Sequence, residues 1–219
     1  MQFQSFIKKL QQQLSQPLPG ETAQFKMAPG RRITMEEYDQ LANKNPRPSA
    51  VLICLFPYQE NIYTLLMLRP EEQGAHSGQV SFPGGRFETA DNDLQTTALR
   101  EAQEETGMDQ RKVEILGALT RLFIPVSNSM VQPYLGYLNE KPLLKKNDAE
   151  VKEIIETDIR LIMNPSLKEN AIFKGINNFQ IEAPYYNIQG HKVWGATAMM
   201  LSELEALLVK VTFNADQMQ

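Results

Sequence analysis

Residues 84–108 read GGRFETADNDLQTTALREAQEETGM, and the division of this stretch into loop and helix decides the fold. Asp91, Asn92 and Asp93 are N-capping residue types placed ahead of an apolar-periodic run. Thr106-Gly107 supplies an exit, with Gly107 suited to the left-handed position that ends many helices. The spacing predicts a helix from about Asn92 to Thr106. With Leu94 set at zero and about 100° per residue, Ala98 and Ala102 fall at roughly 40° and 80° and form the stripe that faces a core. Glu105 then falls at roughly 20°, Glu101 at roughly 340° and Glu104 at roughly 280°. Two glutamates therefore sit at the apolar stripe, one turn apart, with a third adjoining. Like charges at i and i+4 destabilise a helix even when exposed, and partial burial enlarges the penalty and raises the carboxylate pKa values. A divalent cation removes the conflict, because clustered carboxylates, water and phosphate oxygens are the hard ligands that Mg²⁺ or Mn²⁺ prefers. The competing reading is a solvated acidic face paired with Arg100.

The flanking sequence favours the metal. Phe82-Pro83 leads into Gly84-Gly85, where backbone can approach a ligand closely and a carbonyl can turn towards a cation. Further out, AVLICLF (50–56) and NIYTLLML (61–68) read as strands separated by the turn PYQE. VEILGALTRLFIP (113–125) and MVQPYLGYL (130–138) are strand-like, and EVKEIIE (150–156) is a shorter strand. After Asp158 come a short helix, the strand-like FQIEAPYYNI (179–188) and a last helix from about Ala196 to Leu208. Strands and helices mix without strict alternation, which implies a mixed β-sheet between helices. Ahead of the strands, Phe3, Phe6, Ile7 and Leu10 recur at helical spacing. Residues 16–49 are rich in Pro, Gly and polar residues and read as an irregular connection, with a helical turn over Met35 to Leu41. The expected organisation is an N-terminal helix and extension (1–47), a catalytic domain (48–210) and a tail (211–219).

Composition narrows the function classes. Of 219 residues, 42% are hydrophobic and 22% charged, which fits a globular domain and excludes a disordered or fibrous chain. Lys plus Arg is 22 and Asp plus Glu 26, so the net charge of −4 offers no basic field for nucleic acid or anionic lipid. Leu122 to Asn139 is the longest uncharged stretch, and its prolines and polar residues are unsuited to hydrocarbon. Cys54 is the sole cysteine, which rules out an internal disulfide and a four-cysteine zinc site and fits a reducing, cytoplasmic setting.

The 84–108 stretch resembles the Nudix box, G-x5-E-x7-R-E-U-x-E-E-x-G-U, where U is aliphatic. Arg100, Glu101, Ala102, Glu104, Glu105, Gly107 and Met108 match its second half. Counting from Gly85, the box's first acidic position falls on Asp91, with eight residues rather than seven before Arg100. Nudix proteins of the coenzyme A pyrophosphatase type share that one-residue extension. LLMLRPEEQGAHSGQVSFPGG (65–85) resembles their upstream signature at Leu65, Leu66, Arg69, Gly78, Phe82, Pro83, Gly84 and Gly85. It departs at Met67, Pro70 and Gly74, where Thr, Ser or Thr, and Arg are usual. IPVSNSMVQPYLGYL (124–138) and HKVWGATAMML (191–201) extend the likeness, which runs from about Pro48 to Leu208.

The resemblance implies an α/β/α sandwich and hydrolysis of a nucleoside diphosphate linked to another moiety, with coenzyme A or an acyl derivative as the first choice. It implies Glu101, Glu104, Glu105 and a carbonyl of Gly85 as ligands of Mg²⁺ or Mn²⁺. Arg100 would hold a glutamate in place, and Glu101 or Glu150 would deprotonate water. Arg69, His76, Gly78, Phe82, Gly84 and Gly85 are the expected substrate contacts. Two other readings stand beside this one: a Nudix pyrophosphatase for ADP-ribose or another nucleotide, and a non-catalytic ligand-binding module of the same fold. A module needs no set of three helix glutamates. The expected partners are a small-molecule nucleotide and a second copy of the chain, with neither nucleic acid nor membrane.

Overall fold

The apolar run at 50–56 lies inside a long central strand, β1 (Arg47–Tyr58), that is buried on both faces. A computed structural model describes residues 2–30, 34–40, 45–71, 78–174 and 180–216. Ahead of β1 come α1 (Phe3–Leu14), α2 (Gly20–Gln24) and α3 (Met35–Gln40). After it come β2 (Asn61–Leu68), β3 (Val80–Ser81), β4 (Gly84–Arg86) and α4 (Leu94–Thr106). Then follow β5 (Glu114–Ala118), β6 (Leu122–Ile124), β7 (Ser129–Tyr137), β8 (Glu153–Asp158) and α5 (Ile159–Ile162). The chain closes with β9 (Lys168–Lys174), β10 (Gln180–Ile188), β11 (His191–Trp194) and α6 (Gly195–Asp216).

The expected mixed sheet between helices is present. β1 runs parallel to β7, with Ile53 opposite Leu135, and antiparallel to both β2 and β4. Its even-numbered residues Ala50, Leu52, Cys54 and Phe56 pack with Ala98, Ala102 and Met108, so α4 covers that face. Ile53 and Leu55 point the other way, into a core shared with Phe6, Ile7 and Leu10 of α1 and with Leu201, Leu204 and Leu208 of α6. Between β1 and β2 the turn is Gln59-Glu60, both at positive φ (47° and 64°), the two-residue geometry whose twist matches antiparallel strands.

Three features differ from the sequence reading. QIEAPYYNI (180–188) is the middle of a separate three-stranded antiparallel sheet, β11-β10-β9. β9 leaves no signal in the sequence because KENAIFK lies on the surface and shows no apolar alternation. The connection 16–49 contains α2 as well as the turn at Met35, and Ala23 and Gln24 are buried. The last helix continues past Leu208 to Asp216 with Val211 buried, so the expected boundary at 210 falls inside it. No helix among the described residues is long and apolar enough to cross a membrane.

The N-terminal segment is fixed to the body by a buried carboxylate. Glu203 of α6 is fully inaccessible and accepts bonds from the Gly20 N–H (3.2 Å), Gln24 Nε2 (2.9 Å), the Thr120 N–H and Thr120 Oγ1 (2.7 Å). Beside it, Ser202 Oγ donates to the Ala23 carbonyl at 2.7 Å. Removing one acceptor that serves one buried and three half-buried donors leaves each short of a partner, at up to roughly 1–3 kcal/mol for a donor that water cannot reach. Glu203→Ala is therefore expected to lower stability by about 3 kcal/mol or more and Tm by about 6–12 °C. Scanning calorimetry checks this, and an unchanged Tm would remove the network from the list of structural ties.

Candidate active site

The helix that carries the clustered glutamates is set at both ends. Asp93 caps α4, its Oδ1 accepting from the Thr96 N–H (2.7 Å) and Thr96 Oγ1 (2.8 Å). Gly107 ends it at φ 73°, its N–H bonded to the Gln103 carbonyl at 2.8 Å. With Ala98 and Ala102 against the sheet, the glutamates take graded positions. The side chain of Glu105 is 1% exposed, that of Glu101 13% and that of Glu104 53%.

β4 lies alongside. Gly85 pairs with Ala50 on the α4 face, and the Glu101 carboxylate rests directly on its Cα. A Cβ at Gly85 would have all three carboxylate atoms of Glu101 within 2.7 Å. At Gly84, φ is 154° and a Cβ would strike the Ala50 carbonyl oxygen and lie 2.6 Å from Val51 Cα. The Gly84 N–H donates to Glu105 Oε2 at 2.8 Å. Glu150 arrives from the connection between β7 and β8. One carboxylate oxygen each of Glu101, Glu105 and Glu150 lies within 4.8 Å of the others.

Burial pushes the Glu105 pKa up to about 8. The Gly84 N–H and Arg69, whose Nη1 is 3.6 Å from Oε1, oppose the shift, while Glu101 and Glu150 add to it. Glu101 is also raised, by burial first, with Arg100 opposing and Glu104 and Glu150 reinforcing. Three converging carboxylates, two of them desolvated, form a set that a cation stabilises. All are hard oxygen donors with no thiol or imidazole among them, which fits Mg²⁺ or Mn²⁺.

Arg100 is the brace behind this set. Its Nε and Nη2 engage Asp91 at 2.8 and 3.0 Å, and its Nη1 reaches Glu101 Oε1 and Glu104 Oε2 at 3.0 Å each. Nη2 also donates to the Arg86 carbonyl at 3.2 Å. The guanidinium holds the Asp91 carboxyl well below its usual range, against its burial and helped by the Glu88 N–H and Thr97 Oγ1. This role for Asp91 went unassigned in the sequence, where it read as a capping candidate. Its signal was the acidic box position at Asp91, with eight residues between it and Arg100.

The remaining expected residues scatter. Glu104 lies at the rim, tied to Arg100 and not part of the trio. Gly78 takes φ 64° and closes a turn through its N–H to the Pro70 carbonyl. Phe82 is 1% exposed in the core that α1 and α6 share, so its side chain serves packing rather than substrate contact. His76 and Gly74 lie outside the described residues.

Comparison with known proteins follows the same lines. The NUDIX domain family model matches residues 46–166. NudL of Photorhabdus laumondii, described as an uncharacterized Nudix hydrolase, is 32% identical over 163 residues, covering 73% of this chain and 84% of that protein. The human mitochondrial coenzyme A diphosphatase NUDT8 is 30% identical over 171 residues, covering 77% of this chain and 72% of that protein. The crystal structure of a Nudix hydrolase from M. smegmatis, RenU, matches with a TM-score of 0.53 at 12% identity, covering 75% of this chain and 87% of that one, a likeness of fold.

The two glycines should fail differently. At Gly85 the obstacle is the end of a side chain, so Gly85→Ala is expected to fold and to bind Mn²⁺ roughly tenfold more weakly or worse, by titration of the substrate-free protein. At Gly84 the obstacle is backbone and the φ is unsuited to other residues, so Gly84→Ala is expected to lower Tm markedly.

Glu105 also gives the metal-free protein a pH signature. Its folded pKa of about 8 lies above the ordinary carboxylate value, so the folded state holds the proton more tightly. That contribution to stability is complete below the unfolded pKa and is lost as pH rises through 8. Tm of the metal-free protein is therefore expected to fall between pH 5 and pH 8.5, and Glu105→Gln to flatten the decline. A Tm that climbs over this range in both proteins would contradict it.

Proposed function

The chain belongs to the Nudix hydrolase family, and from that premise we propose that it hydrolyses the pyrophosphate bond of coenzyme A or an acyl derivative. The products would be a 4′-phosphopantetheine and adenosine 3′,5′-bisphosphate. The observation that carries the chemistry is the convergence of Glu101, Glu105 and Glu150 beside the Gly84-Gly85 strand. Support for the substrate comes from the 65–85 segment and from relatives described as coenzyme A diphosphatases.

Glu101, Glu105 and Glu150 would hold Mg²⁺ or Mn²⁺. Such a cation, when bound, neutralises the pyrophosphate and makes water a competent nucleophile near neutral pH. The chain's own residues prepare that reaction. The Gly84 N–H fixes one oxygen of Glu105. Arg100, itself anchored on Asp91, fixes Glu101. Because that ion pair occupies Glu101, the exposed Glu150 is the better base for the attacking water. Arg69, one-third exposed beside Glu105, offers a positive charge to a phosphate oxygen.

Metal removal tests the chemistry. EDTA is expected to abolish hydrolysis and Mg²⁺ or Mn²⁺ to restore it, while Glu101→Gln and Glu105→Gln each lower kcat by roughly 100-fold or more. Full activity in excess chelator would sink the reading. Substrate choice is tested separately. Gly74 stands where arginine is usual in the coenzyme A signature, and a charge-assisted contact is worth roughly 1.5–3 kcal/mol, or about tenfold and more in binding. Coenzyme A is therefore expected to be cleaved with a high KM, which Gly74→Arg lowers with kcat little changed. If ADP-ribose is cleaved readily and coenzyme A is not, the departures at Met67, Pro70 and Gly74 mark a different nucleotide specificity.

A further inference from the structure

We infer that Asn147 is a positioning residue that sets Glu150 against Glu105. The inference rests on the reading of Glu150 as part of the metal and base machinery. Residues 138–152, which connect β7 to β8, contain no helix or strand, and Glu150 is exposed. Regular structure therefore does nothing to hold this carboxylate at the other two, and a free loop would lose most of its geometry to entropy.

What fixes it is a docking of the loop onto the last turn of α4. The carbonyls there have no partner within the helix. The Lys145 N–H fills that of Thr106 at 2.8 Å, and the Asn147 N–H fills that of Glu105 at 2.9 Å. Asn147 is thus bonded to the backbone of the residue whose side chain enters the cluster. Its carbonyl then accepts from the Glu150 N–H (3.0 Å) and the Val151 N–H (2.8 Å). Its side chain completes the connection. The Ala149 N–H can only donate, so the amide oxygen must face it, at 3.1 Å. That orientation turns Nδ2 towards Glu150 Oε1, at 3.3 Å. Main chain and side chain of Asn147 together span the gap between Glu105 and Glu150. The neighbours Lys146 and Asp148 pair with each other instead.

Gly107 makes the docking possible. A Cβ there would lie 2.9 Å from the Lys145 carbonyl oxygen and 3.0 Å from its nitrogen. The loop approaches the helix end as closely as the missing side chain permits.

A double-mutant cycle separates positioning from mere turn formation. Asn147→Ser keeps an oxygen able to accept from the Ala149 N–H but is too short to reach Glu150. The measurements are Mn²⁺ affinity of the substrate-free protein by electron paramagnetic resonance, kcat on coenzyme A, and Tm. Asn147→Ser and Glu150→Gln are each expected to weaken Mn²⁺ roughly tenfold with Tm nearly unchanged, and the double variant to be no worse than Glu150→Gln alone. Multiplying losses in the double variant would overturn the inference, because Asn147 would then act on something other than Glu150. A variant that loses Tm but not Mn²⁺ affinity would reduce Asn147 to a turn residue and overturn it too. A silent Glu150→Gln, with affinity and kcat intact, would instead bring down the role of Glu150 on which the inference stands.

Discussion

Glu105 is a carboxylate carried into the protein, reached by one backbone N–H and facing two others of its own charge. Such a group is tolerable only if its surroundings are rigid and a cation can enter, and the neighbouring structure meets the first condition several times over. A rotation of α4 by one residue, about 100°, would turn Glu105 away from the sheet. The cap at Asp93, the left-handed exit at Gly107 and the Asp91–Arg100 pair all oppose that rotation. β4 supplies glycines where the approach is closest, because any side chain would displace either the Glu101 carboxylate or the backbone of β1.

The legible parts of the sequence were those whose signal is periodic. The apolar stripe of α4, the two-sided burial of β1 and the spacing of Phe6, Ile7 and Leu10 announce their partners directly. Glu101 and Glu105 were candidates because they fall on a stripe where charge does not belong. The same argument reaches Glu203, four residues from Met199 and from Leu207 on the buried side of α6, although LSELEALL reads at first as an ordinary amphipathic run. Glu150 could be singled out but not placed. Its position depends on hydrogen bonds between a loop and the carbonyl end of a helix, and those leave no periodic trace. β9 was missed for a related reason: its pairing is made by main chain, and its side chains carry no pattern.

Chemistry and specificity occupy different parts of the chain. The carboxylates, their brace and the glycine strand come from β4, α4 and one loop, and in the proposed reaction they address the diphosphate whatever is attached to it. In the proposed reading, recognition of the attached moiety falls to the 65–85 segment, which departs from the coenzyme A pattern at Met67, Pro70 and Gly74. Retention of the first set beside change in the second is what a fold that hosts many substrates permits.

The network around Glu203 joins positions 183 and 179 residues apart in the chain, through Gly20 and Gln24. Contacts of that span form late, because the intervening chain must first be ordered. During synthesis the consequence is sharper. At roughly 5–20 residues per second, α1 and α2 leave the ribosome about 10–40 s before α6 exists to receive them. For that interval the buried face of α1, with Phe6, Ile7 and Leu10, lacks the share of its core that α6 supplies. A helix made early is thus among the last to be fully covered, because part of its cover is α6.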